Sequence, residues 1–82
     1  MDFEKIYVGV ELNVSPDGSV RPISILWENG EIYTVDRLRK RIPAASLKVG
    51  GGGMRYTVLI QGRERYLFEE NGRWFVERKR VN

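Results

Sequence analysis

The stretch that decides the fold is residues 27–43, which read "WENGEIYTVDRLRKRIP". Its first part predicts a β-hairpin, because apolar residues occupy alternate positions on both sides of the "ENG" triplet. A three-residue loop at residues 28–30 pairs Ile25 with Tyr33 and keeps the apolar side chains on one side of the sheet, whereas a two-residue loop mixes the two faces. We therefore expect the three-residue loop, with Gly30 in the left-handed conformation of a G1 bulge.

The second part of the stretch changes its periodicity after Val35. Leu38 and Ile42 leave the odd-numbered apolar face, so either the strand bulges and bends or Asp36 caps a short helical turn. Pro43 disfavours helical geometry at the residue before it, which favours the bent strand. The sequence does not decide between these two interpretations.

The rest of the chain reads as further strands. Residues 6–14 carry apolar side chains at every even position, which is the two-residue period of a half-buried strand. Three-residue loops at 61–63 and 70–72 also give consistent faces, the first opposing Val58 to Tyr66. We expect an all-β domain of about six antiparallel strands, folded as a small barrel or an orthogonal sandwich. The predicted interior consists of Ile6, Val8, Val10, Leu12, Ile23, Ile25, Trp27, Tyr33, Val35, Tyr56, Val58, Ile60, Tyr66, Phe68, Trp74 and Val76.

The composition limits the possible functions. With 82 residues the chain forms one domain, residues 1–82, and a flexible glycine-rich loop is expected at about 43–54. There is no cysteine and no histidine, so disulfides, thiolate metal sites and the commonest general base are excluded. The tetraglycine opens a strand and lacks the Gly-Lys-Ser/Thr sequence of a phosphate loop. We predict that the protein is not an enzyme and has no catalytic residue, cofactor or metal site.

The N-terminal segment predicts the compartment. It has no basic region before an apolar run, and its apolar residues alternate. These features predict neither a signal peptide nor a membrane span, and therefore a cytoplasmic protein without a membrane partner.

Charge is distributed unevenly along the chain. Residues 1–36 have two basic and seven acidic side chains, whereas residues 37–82 have twelve basic and four acidic ones. This asymmetry favours a non-catalytic binding module for nucleic acid or another polyanion, although a high isoelectric point is also common in small domains without such a ligand. Tyr7 and Tyr56 are candidate stacking platforms. The candidate polyanion-binding residues are Arg37, Arg39, Lys40, Arg41, Lys48 and Arg55.

An alternative function comes from the predicted solvent face. The same strand registers leave five large apolar side chains outside, which is typical of a protein-interaction or self-association surface. Burial of part of the sheet on both faces is an equal explanation. The five residues are Leu26, Ile32, Leu59, Leu67 and Phe75.

Residues 20–78 resemble a group of small bacterial proteins of unknown function. The likeness is marked by "DR" before the bend, "AASLK" with the following glycines, "RYT", and "YLF" followed by "GRWFVE". This resemblance implies no activity and assigns no functional residue. By architecture the chain also resembles SH3-like and OB-like small barrels, without the acidic and aromatic peptide-groove motif of SH3 domains.

Overall fold

The computed structural model describes residues 2–43 and 53–80, which form one antiparallel sheet. The order across the sheet is β3-β2-β1-β7-β6-β5-β4. No helix occurs in these two ranges, and the sheet curls into a half-barrel, so the all-β prediction is confirmed. The strands are β1 (Phe3–Val14), β2 (Val20–Leu26), β3 (Ile32–Thr34), β4 (Arg37–Pro43), β5 (Met54–Ile60), β6 (Arg63–Glu70) and β7 (Arg73–Lys79).

A sharp bend divides the third expected strand into β3 and β4, so the sheet has seven strands instead of the six expected. β3 lies at one edge of the sheet and β4 at the other, and only Val35 and Asp36 separate them. The Val35 amide donates to the Ile23 carbonyl at 2.8 Å, and the next amide, that of Asp36, donates to the Leu59 carbonyl at 2.8 Å. Consecutive residues therefore bond to β2 and β5, which lie next to opposite edges of the sheet, and this makes the sheet curl. The bent strand is thus confirmed over the helical turn.

The first "ENG" hairpin has the predicted loop. Ile25 pairs with Tyr33, and the Trp27 amide donates to the Glu31 carbonyl at 2.8 Å. Gly30 has a φ of 89°, as a G1 bulge requires. The side chain of Asn29 accepts a hydrogen bond from the Glu31 amide at 3.0 Å, which fixes this longer loop.

The other two hairpins have two-residue loops, so the predicted three-residue loops are wrong. Ile60 pairs with Arg63 around Gln61-Gly62, and Glu70 pairs with Arg73 around Asn71-Gly72. Both loop residues have positive φ in each case, 52° and 77° in the first and 53° and 79° in the second. That is the type I′ turn, whose twist matches the twist of the flanking strands.

This change of register moves residues from one face of the sheet to the other. Leu67, predicted to face solvent, is fully buried beside Tyr56 and Val58, whereas Tyr66, predicted to be interior, is 48% exposed. A one-residue shift has this effect because strand side chains alternate between the two faces. Leu12 is also more exposed than predicted, since a bulge between Glu11 and Leu12 shifts the end of β1. The buried core cluster consists of Ile25, Tyr56, Val58 and Leu67.

A second apolar layer lies on the opposite side of the sheet, which we call the outer face. Phe68 and Phe75 pair across β6 and β7, alternate with core residues, and are only 2% and 1% exposed. Their rings stack with centroids 5.2 Å apart and an interplanar angle of 13°. Part of the sheet is therefore buried on both faces, which explains why these large apolar residues alternate out of phase with the core.

Candidate nucleic-acid interface

One row of side chains crosses the outer face from β5 to β1. Arg55 pairs with Phe68, Phe68 with Phe75, and Phe75 with Tyr7. Paired residues of antiparallel strands project from the same face, so these four side chains are neighbours. The row therefore has an arginine at one end, a tyrosine at the other and two buried rings between them.

Three aromatic rings on the outer face, those of Tyr7, Tyr66 and Phe75, each have a cation above them. The Arg73 guanidinium lies 3.8 Å from the centroid of Tyr7, and the Arg55 guanidinium lies 4.5 Å from that of Tyr66. The Lys5 ammonium lies 4.6 Å from the centroid of Phe75. Such contacts orient each cation at the surface against one face of its ring.

The two tyrosines present accessible ring surface. Tyr7 is 43% exposed and Tyr66 is 48% exposed. The ring of Tyr7 meets Phe75 edge-on at 5.7 Å, and that of Tyr66 meets Phe68 edge-on at 6.5 Å. Each exposed phenol is thus supported from below by a buried phenylalanine, which limits its motion.

The arginines beside these tyrosines are not neutralised by acidic side chains. Lys5 forms an ion pair with Glu70 at 3.2 Å, but within residues 2–43 and 53–80 neither Arg55 nor Arg73 has a carboxylate partner. The Nε of Arg55 is buried and has no hydrogen-bond partner among the described residues. Neither guanidinium is therefore neutralised by a carboxylate of the described residues.

The predicted basic residues of β4 are divided by a bulge. Arg37 and Lys40 pair with Leu59 and Thr57 and lie on the outer face. Arg41 pairs with the core residue Tyr56, and so lies on the other side of the strand. Arg39, at the bulge, forms an exposed ion pair with Glu64 at 3.2 Å.

Of the six predicted basic residues, the structure therefore brings together Arg37, Lys40 and Arg55. Lys48 lies outside the described residues. Sequence reasoning did not find Lys5, Arg73 or Tyr66, because their common face depends on the two-residue turns. The signal that could have found them is Gly62 and Gly72, each followed by arginine and each ending a dipeptide suited to a type I′ turn. Of the predicted platforms, Tyr7 is on the outer face, whereas Tyr56 is buried in the core.

The predicted apolar interaction surface is not assembled. Leu26 and Ile32 pair with each other on the outer face at the β3 edge, with 48% and 68% exposure, and Leu59 is half-buried on β5. Leu67 belongs to the core and Phe75 lies beneath Lys5 and Tyr7, so their predicted exposure is wrong. Only Leu26 and Ile32 remain as an exposed pair.

The described residues contain no group of three or more potential metal-ligating side chains. In the same part of the chain no helix is long and apolar enough to cross a membrane. Comparison with known protein families, with characterised proteins and with solved structures finds no match. The resemblance to small bacterial proteins therefore stays a prediction.

Proposed function

We propose that the protein binds single-stranded nucleic acid on the outer face of its sheet. The observation that carries this proposal is the pair of exposed tyrosines, Tyr7 and Tyr66, each with an unpaired arginine stacked against its ring. Aromatic rings accept the faces of unpaired bases, and guanidiniums bind phosphates. The outer face offers both groups at adjacent positions.

The spacing of the tyrosines favours an extended strand. Tyr7 is level with Phe68 across β7, and Tyr66 lies two residues farther along β6, so the two residues are separated by more than two strand spacings, that is by more than roughly 10 Å. This exceeds the rise of about 3.4 Å between successive stacked bases in a helical strand. A ligand that uses both rings must therefore have bases splayed apart, as single strands allow and duplexes do not.

The basic residues extend the surface beyond the tyrosines. Arg37 and Lys40 lie on β4, one strand away from Arg55. Phosphates that follow a bound strand would meet these cations in turn, with Arg73 at the opposite end. Four neutralised phosphates on a single strand predict a fall of about 3 log units in affinity per log unit of salt, or roughly 50-fold between about 50 and 200 mM.

The test is a titration of a fluorescein-labelled oligothymidylate, followed by fluorescence anisotropy at about 50 and 200 mM salt. Tyr66→Leu should weaken binding about 5- to 150-fold with an unchanged salt slope, because one stacking contact worth about 1–3 kcal/mol is lost. Arg73→Gln should instead reduce the slope by about 0.7, because one phosphate contact is lost.

Arg21→Gln is the matched control, since it removes one charge from an exposed position on β2, away from the tyrosines. The salt dependence of oligothymidylate affinity in this variant should equal that of the unmodified protein. Absence of binding at micromolar protein in low salt would refute the proposal. So would a duplex that binds as tightly as the single strand, or a Tyr66→Leu variant of unchanged affinity.

A further inference from the structure

The sheet contains an opening between β6 and β7. These strands pair only next to their turn, from Glu70–Arg73 as far as Phe68–Phe75. Beyond that point Arg63–Leu67 continues to pair with β5, and Val76–Lys79 continues to pair with β1. The two strands therefore diverge, and we call the gap between 63–67 and 76–79 the seam.

A cavity of about 910 Å³ lies at the seam and is lined by residues from both faces of the sheet. This volume is within the range of about 300–1,000 Å³ that small-molecule sites usually have. Val58 and Leu67, both with 0% exposure, form its floor. The other apolar and aromatic lining residues are Phe3, Ile25, Trp27, Tyr33, Ile60, Tyr66, Phe68 and Val76.

Tyr33 lines the cavity, but its hydroxyl group is hydrogen-bonded to Glu31. That hydroxyl donates to Glu31 Oε2 at 2.6 Å. The hydrogen bond to the carboxylate raises the pKa of Tyr33, so the phenol stays neutral. Because this hydroxyl already has a hydrogen-bond partner, Trp27 and Tyr33 present mainly aromatic surface to the cavity.

The β6 side of the cavity has a net positive charge, because Arg63 and Arg65 line it together with Glu64, whose carboxylate is paired with Arg39 at 3.2 Å. Arg63 pairs with Ile60 and Arg65 pairs with Val58, so both arginines project from the core face of the sheet. Both are exposed, and neither forms an ion pair with any residue in the described ranges. Arg78, on the β7 side, is already held by Glu28 at 2.7 Å.

We propose that this cavity binds a small amphipathic anion, with an alkyl or aryl body against Trp27, Val58 and Leu67. Its carboxylate is held by Arg63 and Arg65, for which a planar two-oxygen group is the best-matched partner. The body enters through the seam, where the strands are not bonded to each other. Tyr66 lines this cavity from the outer face, so the two proposed sites share that residue, whereas Tyr7 and Arg73 belong only to the nucleic-acid interface and Arg63 and Arg65 only to the cavity.

The test uses dodecanoate as the probe and dodecanol as its uncharged counterpart, with amide chemical shifts of isotope-labelled protein as the readout. Dodecanoate should cause saturable shifts in residues 63–67 and 76–78 and leave Tyr7 and Arg73 unchanged. Dodecanol should bind at least tenfold more weakly, because hydrogen bonds to a charged group contribute enough for a tenfold or greater change.

Arg65→Gln should weaken dodecanoate binding about tenfold or more and leave dodecanol unaffected, whereas Arg21→Gln should change neither. The affinity of Arg65→Gln for oligothymidylate separates this proposal from the previous one, since that affinity should stay within a few-fold of the unmodified value. The inference is overturned if dodecanoate causes no saturable shifts, if these map to Tyr7 and Arg73 instead of the seam, or if Arg65→Gln binds dodecanoate normally.

Discussion

At the scale of single residues, glycine is essential where the backbone has a positive φ and no room for a side chain. Gly53, just before β5, meets both conditions. It has a φ of 119°, and a Cβ at this position would lie 2.1 Å from the carbonyl oxygen of Glu69. β5 thus begins in close contact with the backbone of β6, at the end of the sheet where the outer-face row starts. Gly18 has a similar φ of 88° but open space around it.

We expect Gly53→Ala to be more destabilising than Gly18→Ala. The Gly18 variant should lose about 1–2 kcal/mol, the cost of a left-handed conformation in a residue with a Cβ. The Gly53 variant should lose more, since the β5 backbone must also move away from Glu69. Urea denaturation of both variants measures the difference. Equal losses would show that the close approach to β6 is not important for stability.

At the scale of elements, the turns decide which residues reach the core and which reach the outer face. The two-residue loops at Gln61-Gly62 and Asn71-Gly72 place Leu67 inside and Tyr66 outside. Three-residue loops would exchange them. Each turn therefore determines which side chains of the following strand lie in the core and which lie on the outer face, where the candidate nucleic-acid interface is.

The register predicts losses of stability of very different size for two neighbouring truncations. Leu67→Ala should cost about 2–5 kcal/mol, because Leu67 is fully buried in the core cluster. Tyr66→Ala should cost about 1 kcal/mol or less, because its ring is half exposed and makes mainly edge and cation contacts. Thermal denaturation followed by circular dichroism distinguishes them. A larger loss for Tyr66→Ala would contradict the two-residue turns.

The sequence was sufficient to predict the strands and the absence of a long helix, and Pro43 favoured the bend over a helical turn without deciding between them, but it did not predict every register. The same "ENG" triplet forms a three-residue loop at Asn29, whose side chain bonds to the Glu31 amide, and a two-residue loop at Asn71. The second loop has a Glu69 carboxylate that accepts from the Gly72 amide at 2.7 Å. Whether such a loop has two or three residues depends on the flanking side chains and on burial of both faces of the sheet. A sequence pattern that assumes one buried face does not reveal this. The outer-face site was therefore predicted only in its β4 and β5 residues.

At the scale of the whole molecule, the sheet is assembled from two local meanders and one distant contact. β1–β3 pair with their chain neighbours, as do β4–β7, whereas β1 pairs with β7 through Ile6 and Val76, seventy positions apart. Closing so long a loop is costly before the contact is made. We therefore expect the β1–β7 pairing to form late in folding.

Ile6→Val tests this order. It should lower the free energy of unfolding by about 0.5–1.5 kcal/mol, since Ile6 is buried. If its contacts form after the transition state, nearly all of this loss appears as faster unfolding, with little change in the folding rate. Stopped-flow kinetics across a range of urea concentrations gives both rates. A loss expressed mainly as slower folding would mean that β1 and β7 pair early.

The contact between β1 and β7 also brings positions 2 and 80 together, where the Arg80 amide donates to the Asp2 carbonyl. A short covalent link between them would let the chain be cut elsewhere, for example between β4 and β5, without changing any strand pair. The rearranged polypeptide would run β5, β6, β7, β1, β2, β3, each strand beside the one before it, and its last strand, β4, would return to the first. This architecture is therefore a nearly continuous ring of strands, for which several starting points along the chain are equivalent.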